Sequence, residues 1–166
     1  GDEIGMRYVE GLNSVEGGFH RTGSRSPMQW DRTVNAGFSA APQEDLYIAM
    51  DPDQDRPDVQ SQIEQEDSLY SEVRRLIALR RSTPALQSKG GIEFVYAKEG
   101  EYPLAYIRRS DTESLLVIIN PAARETSFES GHELKETVYS FGAECVSRSG
   151  VILVPASSAG IYRIKE

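Results

Sequence analysis

Leu115-Leu116-Val117-Ile118-Ile119-Asn120-Pro121 decides the fold class. Five consecutive apolar residues, three of them β-branched, favour a strand. A strand with no polar alternation is covered on both faces, so this one is expected at the centre of its sheet. Pro121 lacks an amide donor and closes the run after Asn120. On either side the chain keeps the period and punctuation of antiparallel β-structure. Upstream, Ile92-Glu93-Phe94-Val95-Tyr96 alternates, and Leu104 to Ile107 follows Tyr102-Pro103. Downstream, Thr126 to Phe128, Glu136 to Tyr139 and Glu144 to Ser147 are shorter candidates, before Val151 to Val154 and Ile161 to Ile164. Strand candidates roughly 8–12 residues apart, separated by turn residues, predict a small antiparallel β-sandwich over 90–166. The fold class expected for the chain is mainly β.

Further upstream the period changes. Leu69, Val73, Leu76, Ile77 and Arg80 follow one helical stripe, which predicts a helix over 67–82 with that stripe buried. Asp67 or Ser68 can cap it. Arg74, Arg75, Arg80 and Arg81 crowd its C-terminal half, where cations complement the helix dipole, and Pro84 blocks continuation. Residues 1–66 have no sustained period. They are rich in Gly, Pro, Asp, Gln and Ser, with scattered aromatics that argue against plain disorder. They read as a long loop laid over something else.

Composition sets limits. The chain has 166 residues, fewer than the roughly 200–250 a complete (β/α)8 barrel needs. Its net charge of −8 should repel phosphate backbones, so no nucleic-acid partner is expected. The run Leu115 to Ile119 is far short of a span of roughly 20 residues, so no membrane partner is expected either. The single Cys145 excludes an internal disulfide and a cysteine-rich zinc site. With no signal-peptide pattern at the start of the sequence, a cytoplasmic location is expected. Of the 18 cations, 14 are arginine, whose rigid fork suits directed hydrogen bonding.

The densest chemistry lies in His20-Arg21-Thr22-Gly23-Ser24-Arg25-Ser26-Pro27-Met28-Gln29-Trp30-Asp31. Arginines, an amide, a carboxylate and an indole in one loop are what sugar recognition uses, since hydroxyls need directed partners and a sugar's C–H face can lie on a ring. From composition alone, the plainer reading is that Trp30 and Met28 anchor the loop while the arginines pair with Asp31 and Asp45. Asp51-Pro52-Asp53-Gln54-Asp55 is not a calcium loop of the EF-hand kind, because Arg56 and Gln62 stand where Gly and a bidentate Glu are required; a solvated turn is expected. Two histidines, His20 and His132, cannot build a multi-histidine metal site. No metal is expected. Cys145 reads as packing within a strand.

Gly1-Asp2-Glu3-Ile4-Gly5-Met6 resembles the segment after the eighth barrel strand in the α-amylase superfamily, glycoside hydrolase family 13. Arg25-Ser26-Pro27-Met28-Gln29-Trp30-Asp31 with Asn35-Ala36-Gly37-Phe38-Ser39 resembles the Arg-x-Pro-Met-Gln-Trp…Ala-Gly-Phe block of the branch holding α-glucosidases, oligo-1,6-glucosidases and trehalose synthases. The resemblance implies that residues 1–84 are the end of the catalytic barrel, with long loop 1–66 and last helix 67–82, and that 85–166 is the family's C-terminal β-domain. It implies a retaining enzyme whose two principal carboxylates stand roughly 5–5.5 Å apart, on earlier barrel strands upstream of Gly1. No catalytic residue is therefore assigned here, and the 166 residues alone should be inactive. Arg25 and Arg21 match sugar-binding positions, and Gln29, Trp30 and Asp31 should brace the loop. Thr22-Gly23-Ser24 departs from the Asp-Asn-Ala common in oligo-1,6-glucosidases. The implied partners are a small α-glucoside or oligosaccharide and the rest of the barrel, with no cofactor. The alternative is a non-catalytic carbohydrate-binding or interaction β-sandwich module, with 1–66 as its linker.

Overall fold

The computed structural model describes residues 1–165. It divides, inside its longest helix, into two compact units, Gly1–Ala78 and Leu79–Glu166. The chain is mainly β, with antiparallel sheets and few helices.

The second unit holds every strand: β1 (Gly91–Tyr96), β2 (Leu104–Arg109), β3 (Ser114–Asn120), β4 (Thr126–Glu129), β5 (Leu134–Phe141), β6 (Val146–Arg148), β7 (Val151–Val154) and β8 (Ser158–Ile164). Five form one sheet in the order β1-β2-β3-β8-β5, and three form another in the order β4-β7-β6, with every pairing antiparallel. The apolar run Leu115 to Ile119 lies in β3, the middle strand. Leu116 pairs with Ile107 on one side and Tyr162 on the other. Successive side chains alternate between faces. Leu116 and Ile118 join Ala105, Ile107, Tyr162 and Ile164 in a cluster that also takes Phe128, Ile152 and Val154 from the smaller sheet. Leu115 and Val117 turn the other way, against Ile161 and Ala85, with Leu79 and Leu86 packed alongside. Both faces of β3 are thus covered from within the unit.

Asn120 ends β3, fully buried. Its Nδ2 donates to the carbonyls of Arg124 (2.9 Å), Val154 (3.3 Å) and Pro155 (2.8 Å), and its Oδ1 accepts from the Ala122 amide at 3.1 Å. One side chain therefore shapes the Pro121 turn and ties it to the end of β7. One reading of this unit needs correction. Cys145 lies just before β6, not within a strand, because that strand starts at Val146. Its amide donates to the Tyr162 hydroxyl at 2.8 Å, a side-chain partner in place of a ladder bond.

The first unit has no strand, only isolated bridges from Ser14 to Gly17 and to Ile48. It is built from 3-10 turns at Asp2–Ile4, Thr22–Ser24, Val34–Gly37 and Gln43–Asp45, then α1 (Val59–Ile63) and the start of α2 (Leu69–Ser82). Polar residues fill much of its interior: Gln29, Asp51, Asp58, Thr22 and Asn35 are all buried. Hydrogen bonds do the work that apolar packing does elsewhere, since a buried polar group left unpaired is costly. Gln62, for example, donates to the Ile4 carbonyl at 2.8 Å and accepts from the Tyr70 amide at 2.9 Å. Ser68 caps α2 by accepting from the Ser71 amide. The stripe Leu69, Val73, Leu76, Ile77 and Arg80 is not buried as its period suggests: no residue of α2 is, and Ile77 is 54% exposed. Val73 is half-buried while Leu69, Leu76, Ile77 and Arg80 stay exposed, since amphipathicity alone buries nothing.

Candidate functional site

Arg21 to Arg25 form a tight turn. The Arg25 amide donates to the Thr22 carbonyl at 3.0 Å, and the Ser24 hydroxyl donates to the Arg21 carbonyl at 2.9 Å. The Val9 amide reaches the Gly23 carbonyl at 3.0 Å, and the Tyr8 hydroxyl donates to the His20 carbonyl at 3.0 Å. A Cβ on Gly23 would run into the Val9 carbonyl and the Tyr8 ring, so glycine is what allows this approach. Arg21 and Arg25 both line one cavity of about 300 Å³, with Glu16, Phe19 and Tyr47 in the same wall. Arg21 and Arg25 are exposed and pair with no described residue, so the expected ion pairs to Asp31 and Asp45 do not form. Two arginine side chains and the Glu16 carboxylate therefore line the same cavity.

Asp31 instead accepts from the Thr33 amide at 2.8 Å and from the Thr33 hydroxyl. A side chain on Gly37, where φ is +67°, would strike the Asp31 carboxylate. The Trp30 amide donates to the Ala36 carbonyl at 2.9 Å. Asn35 and Ala36 both have positive φ (52° and 51°), a conformation held by Asn35 Nδ2, which donates to the Ser39 and Ala41 carbonyls. The two halves of the motif are thus one knot, Trp30-Asp31 against Asn35-Ala36-Gly37. Gln29 is 1% exposed; its Nε2 donates to the Pro57 carbonyl at 2.8 Å, while its buried Oε1 has no partner among the described residues. The carbonyls of Gln29 and Trp30 accept the amides of Val59 and Gln60, two of the free donors that open α1. The Trp30 indole is half-exposed and its backbone makes the ties.

Two ion pairs carry no local signal in the sequence. Arg7 grips Asp51 with two hydrogen bonds (2.9 and 2.7 Å) across 44 positions and reaches Asp53 at 2.6 Å. Asp51 is 2% exposed, so it is not in a solvated turn; the fork of Arg7 compensates its burial. Burial would raise its pKa, but the Arg7 hydrogen bonds, the Asp53 amide and the charges of Arg7 and Arg56 together hold it below the usual carboxylate range. Asp58 behaves alike: burial is outweighed by the Ser61 amide and hydroxyl and by Arg32. The Arg7 pair fixes the segment that follows Tyr47, while Tyr8 and Val9 fix the Arg21–Arg25 turn.

The β unit has a wider cavity of about 610 Å³, lined by residues of β5, β6 and the Ser130–Glu133 turn, with Cys145 and Tyr162 among them. Burial pushes the Cys145 thiol and the Tyr162 phenol upward, so neither is an activated nucleophile there. His132 sits in a turn closed by the Ser130 hydroxyl. Among the described residues no group of three or more His, Cys, Asp or Glu side chains is placed to hold a metal, and no helix is long and apolar enough to cross a membrane.

The model of the alpha amylase catalytic domain matches residues 1–89. The chain is 33% identical to the trehalose synthase of Thermus thermophilus over 135 residues, which are 78% of this chain and 13% of that protein. It is 27% identical to the oligo-1,6-glucosidase of Bacillus cereus over 150 residues, 87% of this chain and 26% of that one. Among solved structures it is similar to the trehalulose synthase MutB from Pseudomonas mesoacidophila MX-45, with a TM-score of 0.75 and 30% identity over 87% of this chain and 26% of that chain. MutB variants have been solved in complex with glucose, with sucrose and with isomaltulose. The chain thus spans about a quarter or less of the length of these relatives. On the family-model match and the shared fold, the chain belongs to the alpha-amylase family, glycoside hydrolase family 13.

Proposed function

We propose that the chain is the C-terminal part of a retaining glycosidase or transglycosidase acting on a small α-glucoside. Residues 1–84 are the end of the catalytic barrel. Residues 85–166 are the C-terminal β-sandwich, a stabilising domain. The nucleophile and the acid/base belong to earlier barrel strands, so this segment contributes sugar contacts and no catalytic carboxylate. Arg25 and Arg21 donate to hydroxyls of the glucose unit, and Gln29, Trp30 and Asp31 brace the loop that presents them. The supporting observation is that Arg21 and Arg25, both exposed and without an ion pair among the described residues, line one cavity on a turn braced from both sides. The bracing also weighs against residues 1–66 being a linker to a free-standing module, since a linker would not bury Gln29, Asp51 and Asp58.

Two experiments test this. The purified 166-residue chain should not cleave a nitrophenyl α-glucoside; activity that survives removal of contaminating enzyme refutes the reading. In the full-length enzyme, Arg25→Ala should lower kcat/KM by roughly 10- to 150-fold, the scale of a lost charge-assisted hydrogen bond of about 1.5–3 kcal/mol. An unchanged kcat/KM removes the role given to Arg25.

A further inference from the structure

Between the tie at Val9 and the tie at Phe19 the chain is held loosely. The Val9 amide reaches the Gly23 carbonyl, and the Phe19 amide donates to the Thr22 hydroxyl at 3.0 Å. None of residues 10–20 is buried, and Val15 at the tip is 75% exposed. The tip itself is a closed turn. The Ser14 amide and hydroxyl both donate to the Gly17 carbonyl, at 3.0 and 2.9 Å, and the Gly17 amide donates back to the Ser14 carbonyl at 2.9 Å. Glycines stand on both sides of it. Gly11 (φ +71°) and Gly17 (φ +112°) have left-handed backbone, yet a Cβ on either would meet nothing within 4 Å. Glycine there serves the backbone conformation and not close packing.

Among the described residues, the hydrogen bonds from this turn to the rest of the unit run to one place. The Val15 amide donates to the Tyr47 carbonyl at 2.9 Å, the Tyr47 hydroxyl donates to Glu16 Oε2 at 2.9 Å, and Ser14 bridges to Ile48. That far side is fixed, because Met50 is buried and Arg7 grips Asp51. Ser14 and Glu16 line the same cavity as Arg21 and Arg25, and Tyr47 and Ile48 line it too. The latch is therefore one side of the cavity. Few buried contacts and exposed backbone bonds mark the segments of a fold that open at least cost.

We propose that residues 11–18 are a strap that swings about Gly11 and Gly17-Gly18, latches on Tyr47 and Ile48, and has to unlatch for a sugar to enter or leave the cavity of Arg21 and Arg25. Closed, it shields the bonds between guanidinium groups and hydroxyls from water, which strengthens them. This rests on the sugar-binding role proposed for the two arginines.

The test uses the full-length enzyme carrying both Ser14→Cys and Ile48→Cys. Paired residues of an antiparallel bridge stand roughly 4.5–5.5 Å apart at Cα, within the reach of a disulfide. Diamide oxidises the two thiols and locks the latch; dithiothreitol releases it. The oxidised form should lose at least about tenfold in kcat/KM for maltose against the same protein reduced, and each single-cysteine variant should show no difference between the two treatments. Equal kcat/KM in the oxidised and reduced forms, with the bond verified by thiol titration, overturns the strap. Where the bond does not close, hydrogen exchange decides: Tyr47→Phe removes one tie and should speed exchange of the amides in 11–18 by about 2- to 10-fold. An unchanged rate means that the latch does not hold the strap, and overturns it as well. Arg25→Ala reports on the reading beneath. An unchanged kcat/KM there, with the oxidised lock still inactivating, removes the arginine contact and leaves the strap.

Discussion

Replacing Asn120 by Ala should cost the β unit much of its stability. Asn120 is fully buried at the end of β3. Its Nδ2 has only two hydrogens, so the three carbonyls around it share two good bonds, to Arg124 at 2.9 Å and Pro155 at 2.8 Å, with Val154 at 3.3 Å a weaker third partner. The bond from the Ala122 amide to Oδ1 makes three in effect. At about 0.5–1.5 kcal/mol each, the loss centres on roughly 3 kcal/mol. For a domain of 60–100 residues, each kcal/mol moves Tm by about 4–8 °C, so the midpoint should fall by roughly 12–24 °C. Asn120→Asp sharpens the test. It keeps the shape, but an ionised carboxylate cannot donate and would face three carbonyl oxygens, so it should be worse than Ala at pH 7 and recover as the pH is lowered. The assay is urea and thermal unfolding of the purified chain followed by circular dichroism. A loss below about 1 kcal/mol for Asn120→Ala would mean that water or a backbone shift replaces these bonds, and the reasoning fails.

Three further outcomes follow from the same accounting. Thr126 Oγ1 is buried and has no partner among the described residues, so Thr126→Val should be neutral or stabilising by up to about 1 kcal/mol; a clear loss in urea midpoint would reveal a missed partner. Asp51 is held below its unfolded pKa, so its contribution is present above roughly pH 4 and is lost as pH falls through the folded value. Tm of the native chain should therefore drop below about pH 4, and Asp51→Asn should have a lower Tm at pH 7 and a flatter profile; parallel profiles would remove the Arg7 pair from the acid response. Cys145 is buried with its pKa raised, so dithiobis-nitrobenzoate at pH 8 should modify it at least about tenfold more slowly in the native chain than in urea; equal rates would place the thiol outside the core.

The sequence showed some elements plainly and hid others for physical reasons. β3 was legible because Leu115 to Ile119 is apolar without interruption, and the structure buries both of its faces. β7 was legible for the same reason. The start of β8 was not: Ser158, Ala159 and Gly160 have weak strand preference and are strands because β3 and β5 pair with them. A side chain at Gly160 would collide with the Tyr162 ring, so packing selects the residue that propensity disfavours. α1 escaped notice because five residues show no period; what defines it is Asp58 accepting from Ser61. At the site, the Arg25–Asp31 block could be read from its order of residues. The Arg7–Asp51 grip could not, since partners 44 positions apart leave no local pattern. Phe19 and Tyr47 appear in the sequence only as scattered aromatics; folding brings them into one wall.

The position of β8 in its sheet has a consequence for the order of assembly. It lies between β3 and β5, both of which are made before it. While the chain is being synthesised, β3 has β2 on one side and an open row of amides and carbonyls on the other, and β5 has no partner at all in its sheet. The apolar side chains of β3 are in place long before the strand that completes their cover. The β unit therefore closes only after β8 has emerged, and a ribosome stalled before Ser158 would leave two sticky edges for chaperones to mask.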